Sequence, residues 1–126
     1  MIKVGVQGAL GKMGQEIINA VSGDSDLELI AGIDPLVENL ATHGFGINIV
    51  PDLKNLERDS IDVLIDFTTA ASVRSTMEYC SGNSVNLVVG TSGITQDDIN
   101  CAHELFDSSD KPNIVIASNF AIGDGH

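Results

Sequence analysis

Basic residues are scarce in this chain: six Lys and Arg stand against eighteen Asp and Glu, giving a formal charge of −12. The acids are scattered along the sequence, not gathered in a tail. A field of that sign disfavours nucleic acid and anionic membrane as partners. Cysteine is scarce too. Cys80 and Cys101 form no C-x-x-C pair and read as reduced, buried small apolar residues on separate helices, not as a disulfide framework. No apolar run approaches the roughly 20 residues that cross a bilayer. The N-terminus also lacks the basic region followed by an apolar stretch that marks a secretory signal, so a cytoplasmic location is expected. Repeats, linkers and low-complexity tracts are missing as well. What remains is 126 residues with 43% hydrophobic content, enough for one domain with a real core and too little for two.

The most informative segment comes first. Val4-Gly5-Val6-Gln7 reads as a β-strand, and it runs directly into Gly8-Ala9-Leu10-Gly11-Lys12-Met13-Gly14. Beyond that loop Met13, Ile17, Ile18 and Val21 recur at helical spacing. Glycines in such a turn let the backbone approach a diphosphate, while the free N–H groups and positive dipole end of the helix hold its charge. The spacing is G-x-x-G-x-x-G, with Leu10 where the usual G-x-G-x-x-G fingerprint has its second glycine, so context has to support the reading. A second apolar run, Leu27 to Ile33, ends in Asp34, twenty residues beyond Gly14. A carboxylate there can accept hydrogen bonds from an adenosine ribose. The alternative is that the glycines only permit close helix–strand packing and that Asp34 only opens the Asp34-Pro35 turn. Lys12, the one cation in the loop, is equally open to two readings: a solvated first-turn lysine or a phosphate contact.

Farther along, Gly23 closes the first helix. Leu36 to Lys54 reads as a loop-rich crossover with one short strand at Ile47 to Val50. Ile61 to Phe67 is a buried strand, followed by Thr68-Thr69 as a helix cap, by Val73, Met77 and Cys80 on one helical face, and by Gly82 as the stop. Asn86 to Val89 is a strand ending at Gly90-Thr91-Ser92-Gly93. Thr95 begins a helix with Ile99, Ala102 and Leu105 or Phe106 inward, and Asn113 to Ala117 is a last strand ending at Ser118-Asn119-Phe120. Strands alternating with helices predict an α/β fold, a doubly wound parallel sheet of the Rossmann type. Ligands of such sheets bind beyond the carboxyl ends of the strands. Each strand-end group has a bland reading as cap, turn or core, but three polar rims on one sheet edge point to a site.

The four motifs Gly8 to Gly14, Asp66-Phe67-Thr68, Gly90-Thr91-Ser92-Gly93 and Ala117-Ser118-Asn119-Phe120-Ala121-Ile122-Gly123, in this order, resemble the 4-hydroxy-tetrahydrodipicolinate reductases (dihydrodipicolinate reductases) of bacterial lysine and diaminopimelate biosynthesis. The resemblance covers essentially the whole chain. It implies NADPH or NADH as cofactor, with Gly8, Ala9, Leu10, Gly11, Lys12 and Met13 at the diphosphate and Asp34 at the adenosine ribose. Phe67, Thr68, Gly90, Thr91, Ser92, Ala117, Ser118, Asn119 and Phe120 would then line the nicotinamide end.

The family also places its proton-donating His and substrate-anchoring Lys in a second domain, within a His-His-rich motif. Nothing in residues 1–126 matches that motif; His43 and His103 do not, so no catalytic residue and no metal ligand is assigned. Residues 1–126 are therefore expected to form a single dinucleotide-binding domain of a longer, oligomeric reductase. They should bind cofactor, with dual use of NADH and NADPH, and should not turn over a cyclic dicarboxylate without the substrate domain. The alternatives are a dehydrogenase of the aspartate or homoserine type and a stand-alone nucleotide-sensing module.

Overall fold

The computed structural model describes residues 1–36, 48–91, 93–108 and 110–117. Its elements run β1 (Ile2–Gln7), α1 (Lys12–Ser22), β2 (Leu27–Ile33), β3 (Asn48–Val50), β4 (Val63–Asp66), α2 (Val73–Gly82), β5 (Asn86–Val89), α3 (Gln96–Phe106) and β6 (Ile114–Ile116). Short 3-10 turns at Leu53–Asn55 and Ala70–Ser72 precede β4 and α2. All strand pairs are parallel, in the order β3-β2-β1-β4-β5-β6. The order reverses between β1 and β4, and that switch point is where a parallel sheet opens a crevice at its carboxyl edge.

Alternation along the strands explains why helices cover both faces. Successive side chains of a strand point to opposite sides, so Leu64 and Ile65 of β4 enter different cores. Val4, Val6, Ile18, Val21 and Ile49 pack together, with Ile65 against them. Leu64, Val73, Met77, Cys80, Leu87 and Ala102 form the larger cluster on the other side, beneath α2 and α3. The expected doubly wound parallel sheet is thus what the chain builds.

Several boundaries differ from expectation. The strand expected at Ile61 to Phe67 is trimmed to Val63–Asp66. Ile61 stays buried, and Asp62 takes the Lys3 N–H at 2.9 Å on its side chain. Gly82 is the last residue of α2 and does not cap it; Asn83 does. Thr69 sits at the start of the 3-10 turn but makes no side-chain cap bond, and Ser72 makes none for α2. The expected Thr68-Thr69 cap is therefore not formed, because α2 begins only at Val73, after the 3-10 turn, which leaves Thr68 too early in the chain to meet its N–H groups; its hydroxyl donates to Asp66 instead. Cys80 is buried but Cys101 is only half-buried. Ile47 and His43 lie outside the described residues.

Candidate dinucleotide site

At the carboxyl end of β1 the backbone N–H groups of Gly8 and Ala9 both point to the carbonyl oxygen of Ile33, at 2.7 and 3.3 Å. Gly11 N–H returns to the Gly8 carbonyl at 3.0 Å. These bonds curl the loop over the first turn of α1. The crossing is so close that a Cβ on Gly14 would stand 2.8 Å from the Gly8 carbonyl carbon and 3.0 Å from the Ala9 Cα. Both are backbone atoms that cannot swing aside, so only glycine lets the loop lie there.

The start of α1 is open. Its N-cap is Gly11, which has no side chain to bond the orphan N–H groups, and its first turn carries no acid. Four N–H groups at a helix start lack intrahelical partners and carry the positive end of the dipole, so they suit an anion. Lys12 and Met13 are both exposed on that turn.

Asp34 faces the loop and is only 6% exposed. Its Oδ2 accepts the Leu10 N–H and its Oδ1 accepts the Leu36 N–H, both at 2.9 Å. The structure thus realises the turn-opening reading of Asp34 and also ties the carboxylate to the glycine loop. A carboxylate has about four lone-pair sites on its two oxygens, so each oxygen can still accept a hydroxyl.

Phe67 and Thr68 continue the edge at the end of β4. A Cβ on Gly90 would lie 2.6 Å from Cδ1 and Cζ of Phe67, so the ring rests directly on bare backbone at the end of β5. Thr91 follows, buried, with its hydroxyl unpartnered among the described residues. Ala117 N–H bonds the Val89 carbonyl at 2.9 Å, which sets the end of β6 beside the end of β5. Ser92, Ser118, Asn119 and Phe120 lie outside the described residues.

A cleft of about 510 Å³ opens at this edge, reaching from Gly8 and Asp34 to Leu53, Thr68 and Thr76. Its floor is a polar network that the motif reading missed. Gln7 Nε2 donates to Thr76 Oγ1 at 2.9 Å, and Thr68 Oγ1 lies 3.0 Å from Ser72 Oγ. Thr68 gives both its N–H and its hydroxyl to Asp66 Oδ1, at 2.9 and 2.6 Å. The detectable signal was a polar residue ending an apolar strand, Gln7 in β1 and Asp66 in β4. Burial pushes the Asp66 carboxyl above its ordinary pKa, against the opposing pull of the Thr68 bonds. The Cys80 thiol is pushed up to about 12, by burial first and by the Asp66 charge second, which keeps it an unreactive thiol.

The groups present fit a dinucleotide: an uncapped helix start, a glycine loop that Gly14 lets lie close over it, and a carboxylate beside them. No group of His, Cys, Asp and Glu suited to a metal occurs among the described residues. Nor is any described helix long and apolar enough to cross a membrane.

Residues 2–120 match the family described as "Dihydrodipicolinate reductase, N-terminus". The 4-hydroxy-tetrahydrodipicolinate reductase of Corynebacterium urealyticum is 37% identical over 122 residues, which are 97% of this chain and 44% of that protein. The dipicolinate-bound dihydrodipicolinate reductase from Paenisporosarcina sp. TG-14 superposes with a TM-score of 0.80 at 29% identity, over 98% of this chain and 49% of that one. The NADH-bound WlbA dehydrogenase from Chromobactrium violaceum, at 17% identity and a TM-score of 0.77, shares the fold alone; it covers 92% of this chain and 34% of that one. This chain spans about half the length of the reductases it matches. It belongs to the dihydrodipicolinate reductase family and corresponds to that family's N-terminal domain.

Proposed function

We propose that residues 1–126 are the cofactor-holding domain of a cytoplasmic, oligomeric reductase that acts on 4-hydroxy-tetrahydrodipicolinate in lysine and diaminopimelate biosynthesis. One observation carries the reading: the uncapped start of α1, crossed by the glycine loop at Gly14 and flanked by Asp34. In this assignment the glycine loop lies along the diphosphate, the backbone N–H groups of Lys12 and Met13 at the open start of α1 receive it, and Asp34 receives the adenosine ribose. Phe67, Thr68, Gly90, Thr91, Ser92, Ala117, Ser118, Asn119 and Phe120 border the nicotinamide. The dihydronicotinamide supplies the hydride, and the chain supplies binding and orientation.

Reduction also needs an anchored dicarboxylate and a proton donor within hydrogen-bond reach. By topology Lys3, Arg58 and Lys111 lie toward the amino edge of the sheet, and Arg74 is held by Asp98 at 2.8 Å. Of the six cations only Lys12 and Lys54 stand at the carboxyl edge, and the substrate's anchors and proton donor are assigned to a second domain, as the family resemblance implies.

Calorimetry of the folded chain with NADH and NADPH is the test, followed by mixing with reduced nucleotide and freshly generated dihydrodipicolinate. Binding without nucleotide oxidation is expected, with turnover appearing in a longer form of the protein. No heat and no thermal shift at millimolar nucleotide would sink the reading. Turnover that survives replacement of His43, His103 and His126 by Asn would show that the chemistry has been misplaced.

A further inference from the structure

We propose that Asp66 positions the turn leaving β4 as a carboxylic acid, its Oδ2 hydroxyl donating to Gln7 Oε1, and that losing this proton weakens nucleotide binding in the cleft. The second half rests on the dinucleotide reading above; the first stands without it.

Gln7 and Asp66 are register partners at the ends of neighbouring parallel strands, so their side chains leave the sheet on one face, from backbones about 4.8 Å apart. Both lie under α2. Gln7 Nε2 donates to Thr76 Oγ1 at 2.9 Å, and the Asp66 charge acts on the thiol of Cys80, one turn farther along that helix. Gln7 is buried and Asp66 fully so. Yet Gln7 Oε1 and Asp66 Oδ2 both lack a partner among the described residues. Two buried acceptors on adjacent strands with no donor for either are costly, and a single proton on Oδ2 satisfies both.

Turning the Gln7 amide over would set Oε1 against a hydroxyl whose one proton already goes to the Ser72 carbonyl, at 3.1 Å. Toward Gln7, Thr76 can only accept. On the other side of the carboxyl, Oδ1 accepts both the N–H and the hydroxyl of Thr68, which leaves Oδ2 for the proton. Burial, the largest influence on this group, favours the neutral acid as well.

The surrounding elements bring no cation to Asp66. β5 and the 3-10 turn before α2 carry no ionisable side chain. α2 brings Tyr79 and Cys80, whose hydroxyl and thiol burial keeps neutral, while Arg74 and Glu78 are exposed and Arg74 is held by Asp98 of α3. On β1, Lys3 stands near the opposite end of the strand, on the Asp59 carbonyl. Asp34 ends β2, with β1 between it and β4. An ionised Asp66 would thus put an uncompensated negative charge beneath a cleft that Gln7, Thr68 and Thr76 line and that receives a diphosphate.

The first test needs no nucleotide. The Asp66 carboxyl carbon, assigned by its disappearance in Asp66→Asn, is followed by NMR through a pH titration of the unmodified chain and of Gln7→Met, which keeps the side chain's length and removes the acceptor. The midpoint is expected above about 3.9 and should move down in Gln7→Met, because a bond to the neutral acid favours that form. An upward move would mean that Gln7 donates to a carboxylate, and an unmoved midpoint that the two groups do not interact; either overturns the proposal. The second test is calorimetry with acid-stable ADP-ribose across the same pH range. Affinity should fall roughly threefold or more as Asp66 ionises. Asp66→Asn offers Thr68 the same acceptor and Gln7 a donor, so it should keep the acid-side affinity at every pH. The unmodified pH profile in Asp66→Asn, or lost acid-side affinity in variant protein with a normal unfolding curve, overturns the coupling. No binding of ADP-ribose at any pH would sink the dinucleotide reading and the coupling with it, while the titration still decides the Asp66–Gln7 pair.

Discussion

The hydroxyl of Thr68 donates a 2.6 Å hydrogen bond to Oδ1 of Asp66, and the Thr68 N–H donates to the same oxygen at 2.9 Å. One fully buried carboxyl group thereby sets the backbone of the turn that leaves β4 for the cleft. Its other oxygen, Oδ2, has no partner among the described residues.

That buried acid gives a pH prediction. Burial raises the folded-state pKa of Asp66 above the unfolded value of about 3.9. Its contribution to stability is thus fully present below about pH 3.9 and is lost as pH rises through the folded value. Asp66→Asn keeps an acceptor for Thr68 and removes the titration. In urea melts at a series of pH values, the variant should gain on the unmodified chain as pH rises from about 3.9 upward. A constant difference between the two would show that Asp66 does not titrate in this range.

Gly14→Ala should be the most damaging single methyl in the glycine loop. The added carbon meets the backbone of Gly8 and Ala9 within 3.0 Å, so the loop must lift from α1. Overpacking of this kind costs about 1–3 kcal/mol, and nucleotide affinity should fall with it. Denaturant midpoints and calorimetry on the same preparation check both effects.

Gly90→Ala collides instead with the Phe67 ring, at 2.6 Å from Cδ1 and Cζ. A half-buried ring can rotate toward the cleft where backbone cannot yield. The expected result is a smaller stability loss than at Gly14, with the effect concentrated in nucleotide binding. An equal loss of stability at both positions would show that Phe67 is held as rigidly as the loop.

Lys12→Ala should weaken NADPH more than NADH, roughly tenfold for the former, since a charge-assisted contact contributes about 1.5–3 kcal/mol. Equal losses would assign Lys12 to the diphosphate, and no loss would make it a solvated first-turn residue.

At the start of α3, Thr95 Oγ1 accepts the Asp98 N–H at 3.2 Å while Asp98 accepts the Thr95 N–H at 3.0 Å. Removing the cap with Thr95→Ala should cost about 1 kcal/mol in a urea melt. The Thr95 N–H, and next the Arg74 guanidinium, hold the Asp98 carboxyl below its ordinary pKa. Its contribution is present above about pH 3.9 and is lost as pH falls through the folded value.

The order of elements, the parallel class of the sheet and the strand-end motifs were legible in the sequence, because they are written in local periodicity and in glycine positions. Leu64 and Ile65 alternate between two cores whatever else happens, and Ile17, Ile18 and Val21 recur at helical spacing and reach one of them, while Met13, expected on the same face, stays exposed. Capping near Thr68 was not legible. Where α2 begins is set by the 3-10 turn before it, and the Thr68 hydroxyl donates to an Asp66 carboxyl that only the folded sheet buries. Sequence alone does not decide between Asp34 as a turn former and as a ribose acceptor, for a similar reason. Its oxygens are engaged by Leu10, twenty-four residues earlier, and by Leu36, two residues later. Spacing along a chain can put an acid at the end of a strand; only the folded sheet brings a distant loop amide to that acid and turns a soluble side chain into a fixed charge.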